Sequence, residues 1–134
     1  MFTEDKMKPD TAKSVLIVED EHFISELYSR SLTKAGYQVE TVGDGVSGIL
    51  KIISGQYDIV LLDIMLPNLN GVDALKQIRE KTAQTPLKTK IIITTNLDED
   101  EQTRAQLEKL ADGYLIKAEI TPRQLVEYLS QLPD

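Results

Sequence analysis

The chain has 134 residues, 41% of them hydrophobic and 28% charged, which is the size and composition of one globular domain. A formal net charge of −7 at pH 7 would be repelled by phosphate backbones and argues against nucleic-acid binding by this domain. Cysteine is absent, which excludes disulfides and thiolate metal sites and reads as cytoplasmic, and no apolar run approaches the roughly 20 residues that cross a bilayer.

Residues 1–13 mix charges with Pro9, lack the apolar core of a signal peptide, and read as a flexible extension ahead of one domain over 14–132. Val15–Val18 is a short apolar run rich in β-branched residues, as a strand buried on both faces should be. Phe23, Ile24, Leu27, Tyr28 and Leu32 follow at helical spacing, and Gly36 stops that helix. Gln38–Val42 predicts a second strand; Val46, Ile49, Leu50 and Ile53 mark a second helix, closed by Gly55. Asp58–Leu62 predicts a third, buried strand, and a loop with Pro67, Asn68, Asn70 and Gly71 leads into a helix carrying Val72, Leu75 and Ile78. Ile91–Thr95 is a fourth strand, a polar helix runs from about Glu99 to Leu110, and Tyr114–Ile116 is a short fifth strand. Thr121 caps and Pro122 opens a last helix with Leu125, Val126, Leu129 and Leu132 on one face.

Five β–α units in strict alternation predict an α/β fold: one doubly wound parallel sheet with helices on both faces and right-handed crossovers. In such sheets functional residues gather at the carboxyl ends of the strands. Those ends offer Glu19 and Asp20, then Asp63, then Thr95, then Lys117. Singly, each has an ordinary structural explanation as a turn former, strand residue or solvated cation. Together they put three carboxylates, a hydroxyl and an ammonium on one rim. Close carboxylates repel, so they hold protons or bind a cation, and a hard ion such as Mg²⁺ suits an all-oxygen set. With its charge screened, Asp63 can attack phosphorus, while Lys117 and the Thr95 hydroxyl take phosphoryl oxygens. A flavin binder would need a glycine- and hydroxyl-rich loop where Glu19-Asp20-Glu21 stands. A dehalogenase-type phosphatase would need a second aspartate where Met65 stands.

The segments Val15–Glu21 (VLIVEDE), Asp58–Pro67 (DIVLLDIMLP) with Gly71 beyond, Ile91–Thr95 (IIITT) and Gly113–Lys117 (GYLIK) resemble the receiver domains of bacterial two-component response regulators. The likeness runs from about Ser14 to Leu132, and the four segments in order are far more specific than any one. It implies a flavodoxin-like strand order 2-1-3-4-5. It also implies a phosphorelay function: Asp63 takes a phosphoryl group from a partner phosphohistidine, on a sensor histidine kinase or a histidine phosphotransfer protein. Asp20 matches the direct Mg²⁺ ligand, Glu19 an acid that acts through metal-bound water, and Met65 a backbone-carbonyl ligand. Thr95 matches the switch hydroxyl, with Thr94 as the alternative, because alternation sends the two to opposite faces. Tyr114 matches the aromatic that moves with the switch, or is a partly exposed strand residue. The fourth helix, fifth strand and fifth helix would form the surface for an output partner or a self-dimer. Such a receiver is no enzyme beyond its own phosphorylation and slow dephosphorylation; the alternative is a small Mg²⁺-dependent phosphatase with an Asp63 intermediate.

Three departures stand out. Ala118 follows Lys117 where the family has a cis-proline, and a non-proline cis bond costs about 2.5–4 kcal/mol, so a trans bond is expected. Asn96 stands where a smaller residue is common, and Met65 and Leu97 are apolar on the rim; all three predict a long-lived phosphoryl group. His22, the only histidine, reads as an exposed structural residue. Kinase, signal and oligomeric state stay open, as does the choice between a stand-alone protein and a piece of a longer regulator.

Overall fold

A computed structural model describes residues 12–133, through which five strands alternate with five helices. The strands are β1 (Ser14–Val18), β2 (Gln38–Val42), β3 (Ile59–Asp63), β4 (Lys90–Thr95) and β5 (Gly113–Ile116). The helices are α1 (His22–Lys34), α2 (Gly45–Ile53), α3 (Gly71–Lys81), α4 (Glu101–Leu110) and α5 (Pro122–Ser130). All strand pairs are parallel and the order is β2-β1-β3-β4-β5, as the resemblance implies. Residues 1–11 of the expected extension lie outside the described residues. No helix among the described residues is long and apolar enough to cross a membrane.

Alternation along the buried strands builds two apolar layers. Leu16, Val18, Val60, Leu62, Ile91 and Ile93 face α2, α3 and α4. Val15, Ile17, Ile59, Leu61 and Ile92 face α1 and α5. The second layer is the one that leads to the site, because its side of β1 and β3 continues to Glu19 and Asp63.

Several predicted details shift. The third strand starts at Ile59 rather than Asp58, because the Asp58 carboxylate accepts the Ser14 N–H at 2.8 Å and anchors β1. That shift makes Asp63 the last strand residue. α4 begins at Glu101, since Asp100 caps it by accepting the Thr103 N–H at 2.8 Å. Phe23, Val46 and Leu50 were expected on core faces but are 74%, 72% and 66% exposed. In α2 the buried stripe runs through Gly48, Ile49 and Ile52 instead. Gly48 sets it: a Cβ there would stand 2.6 Å from a Val18 methyl, so only glycine lets that face close on β1. Gly36 (φ +105°) and Gly55 (φ +73°) end their helices in left-handed conformations, as expected of stop residues.

Candidate functional site

Glu19 directly follows β1, and its N–H prolongs the ladder to the Val42 carbonyl at 3.0 Å. Its carboxylate is buried; one oxygen accepts the Glu21 N–H at 3.1 Å and the other accepts a hydrogen bond from Lys117 Nζ. Asp63 is 2% exposed. Its Oδ1 accepts the Met65 N–H at 2.9 Å, and its Oδ2 lies 3.2 Å from Lys117 Nζ. Lys117 leaves β5 into a single 3₁₀ turn over Lys117–Glu119, and the Lys117–Ala118 bond is trans. The turn puts the ammonium between the two buried acids. Asp20, one residue beyond Glu19, stays exposed at the mouth. Carboxylate oxygens of Glu19, Asp20 and Asp63 all lie within 4.8 Å of one another.

Burial raises the Glu19 carboxyl to about 6, against the lowering hydrogen bonds from Lys117 and the Glu21 N–H. For Lys117 burial works toward a lower value, but the Glu19 hydrogen bond and the Asp63 charge outweigh it, so its pKa is raised. The ammonium is therefore charged at neutral pH. One ammonium among three carboxylates leaves negative charge uncompensated when all are ionised. The donors are all oxygens, with neither cysteine nor histidine among them, and such a set fits a hard divalent cation with retained waters.

The two threonines lie on opposite faces of β4, as alternation requires. Register pairs Asp63 with Thr94, and Ile64 N–H donates to the Thr94 carbonyl at 3.2 Å. Paired residues of parallel strands share a face, so Thr94 lies on the side of Asp63 and Ile92, whereas Thr95 follows Ile91 and Ile93 on the other. Thr95 is fully buried, and its hydroxyl donates to the Leu97 carbonyl at 2.7 Å. Thr94 thus lies on the face of Asp63, while Thr95, the expected switch hydroxyl, shares the face of Tyr114, since Ile93 pairs with Tyr114. A Thr95→Val change, which keeps shape and removes the hydroxyl, is expected to slow phosphorylation several-fold; Thr94→Val should leave that rate within about twofold. Labelling rates of the two variants, measured side by side, check the assignment.

The family model described as "Response regulator receiver domain" matches residues 15–130. The chain belongs to this family. The response regulator ArlR of Staphylococcus epidermidis is 38% identical over 119 residues, covering 89% of this chain and 50% of its own length. The chain spans about half the length of the curated relatives it matches. Among solved structures, CheY4 of Vibrio cholerae superposes with a TM-score of 0.76 at 27% identity, covering 92% of this chain and all of that one. The response regulator TrrA of Thermotoga maritima, solved in complex with Mg²⁺ and BeF, superposes with a TM-score of 0.73 at 33% identity, covering 90% and 99%.

In this receiver the expected Glu19, Asp20, Asp63 and Lys117 come together. Met65 and Leu97 are exposed, 48% and 69% accessible, as is Asn96, and the Met65 N–H donates to Asp63. Tyr114 is half-buried, and its hydroxyl accepts the Glu99 N–H at 2.9 Å and donates to Asp98 at 3.0 Å. Arg104 covers the ring at 4.4 Å from its centroid and pairs with Asp98 at 3.1 Å. Asp98 and Arg104 were not singled out from sequence; an arginine one turn into α4 after an acidic run was the available signal. His22 is exposed at the start of α1.

Proposed function

We propose that this receiver accepts a phosphoryl group on Asp63, from a phosphohistidine of a sensor histidine kinase or histidine phosphotransfer protein, with Mg²⁺ held by Asp20, Asp63 and the Met65 carbonyl. Glu19 would act through metal-bound water. The observation that carries the proposal is the pairing of buried Asp63 with buried Lys117 at 3.2 Å, beside two further carboxylates. A carboxylate oxygen of Asp63 forms the new bond to phosphorus as the bond to the donor's imidazole nitrogen breaks, and the electron pair leaves with the imidazole. Lys117 and the Thr95 hydroxyl supply positive charge and a hydrogen bond to the phosphoryl oxygens. Bound Mg²⁺ would offset the negative charge that otherwise repels the incoming group.

The protein is its own substrate rather than a turnover enzyme, and sustained phosphate release from a small ester in excess would favour the phosphatase alternative instead. Phosphorylation biases two arrangements of the surface near Thr95 and Tyr114, on α4, β5 and α5, which meets an output partner or a second copy. This activity belongs to the cytoplasm and involves neither membrane nor nucleic acid at this domain. Incubation with acetyl phosphate and Mg²⁺ should add one phosphoryl group, labile to hydroxylamine, and Asp63→Ala should not be labelled. Full, stable labelling of that variant would remove Asp63 from the mechanism.

Phosphoryl lifetime follows from the rim. Hydrolysis needs a water in line with the Asp63–phosphorus bond, and neither the Met65 thioether nor the Leu97 isobutyl group can orient one. Asn96 adds bulk at the same edge. Phosphate release is therefore expected to be slow, and Met65→Asn and Leu97→Glu should each speed it several-fold. Single-turnover release rates check this; unchanged rates in both variants would contradict it.

A further inference from the structure

On the face opposite the Tyr114 cluster, α1 and α5 pack side by side and leave a groove of about 550 Å³. Ala35, Pro122 and Val126 give it an apolar lining, and Lys34 and Arg123 stand beside it. Four other helix cations have partners: Arg30 pairs with Glu26, Lys51 with Glu40, Arg79 with Asp112 and Arg104 with Asp98. Among the described helix residues, Lys34, Lys76, Lys81, Lys109 and Arg123 have none, and of these only Lys34 and Arg123 line this groove. Lys34 lies in the last turn of α1, where the helix dipole favours a cation. Arg123 lies in the first turn of α5, where the dipole opposes one, and no acidic residue shares that turn. Glu127, one turn on, does not pair with it. The helix end has its own partners, since Thr121 accepts the Gln124 N–H at 3.1 Å and Gln124 accepts the Thr121 N–H at 2.9 Å. No contact within the fold explains the guanidinium.

We propose that this groove docks an acidic segment of a partner protein, one that presents an aliphatic side chain between carboxylates. The apolar lining takes the aliphatic group, and the two cations take the flanking charges. Local positive charge on a chain of net charge −7 makes this patch selective for such a segment, because most of the remaining surface repels it. The surface is separate from the acid site, and docking does not depend on Asp63.

The test is an amide chemical-shift titration of the ¹⁵N-labelled chain with a synthetic helical peptide bearing leucines at i and i+4 flanked by glutamates. Saturable shifts are expected at Ser31–Ala35 and Thr121–Val126, weakening with added salt. Arg123→Glu, at an exposed position that leaves the fold intact, should lower the affinity by about tenfold or more. A peptide with alanine for both leucines should bind much more weakly. Shifts scattered over other basic residues, or equal affinity for Arg123→Glu, would overturn the proposal. So would concentration-dependent shifts at these residues without peptide, which would assign the groove to a second copy.

Discussion

Lys117→Met is expected to destabilise the protein at pH 7 without Mg²⁺ by about 3 kcal/mol, because it strips the ammonium from two buried carboxylates and leaves their charge uncompensated. Side-chain exposures of 5% for Lys117, 2% for Glu19 and 3% for Asp63 mean that water cannot replace it. The loss has a defined pH dependence. Burial raises the Glu19 carboxyl from 4.5 to about 6, so the folded state holds a proton there more readily than the unfolded chain. That preference favours folding fully below about 4.5 and is lost as pH rises through about 6. Without the Lys117 hydrogen bond the Glu19 carboxyl rises further. The variant's deficit should therefore be largest at neutral and alkaline pH and shrink on acidification. Millimolar Mg²⁺ should restore part of it by neutralising the same acids. Urea unfolding at pH 5 and pH 8, with and without Mg²⁺, measures both effects. An equal deficit in all four conditions would mean that Lys117 acts by packing alone.

Asp20→Asn is expected to weaken Mg²⁺ binding by about tenfold or more, since even outer-shell partners of a metal contribute on that scale. Asp20 is exposed and makes no hydrogen bond within the fold, so the change should not unfold the chain. Removing one of three mutually repelling carboxylates should leave the metal-free protein as stable as the parent or more so. Phosphorylation by acetyl phosphate should slow at low Mg²⁺ and recover at high Mg²⁺. Calorimetric titration gives the affinity directly, and an unchanged value would remove Asp20 from the ligand set.

The alternation of apolar runs and amphipathic stretches carried the architecture, because strands buried on both faces read as continuous apolar runs between helices with one apolar stripe. Glu19, Asp20, Asp63 and Lys117 were legible for a related reason: each sits at or just beyond the carboxyl end of a strand. What sequence spacing could not supply was phase. Thr94 and Thr95 are adjacent and chemically identical, and only the register of β4 against its neighbours shows that Thr94 lies on the face of Asp63 and Thr95 on that of Tyr114. Phase also misplaced Val46 and Leu50, since the closest approach of α2 to β1 is set by Gly48, which has no side chain to enter an apolar pattern. The bridge from Lys117 to Glu19 joins residues 98 positions apart and shows only once the strands are ordered.

The most direct test of the central claim is chemical mapping of the phosphoryl group. After reaction with acetyl phosphate and Mg²⁺, borohydride reduction converts an acyl phosphate of aspartate into homoserine, which peptide mass spectrometry places in the chain. Asp63 as acceptor predicts homoserine at position 63 alone, absent when either Mg²⁺ or the phosphodonor is left out. Homoserine at position 20, or a reduced glutamate at position 19, with residue 63 unchanged, would contradict it.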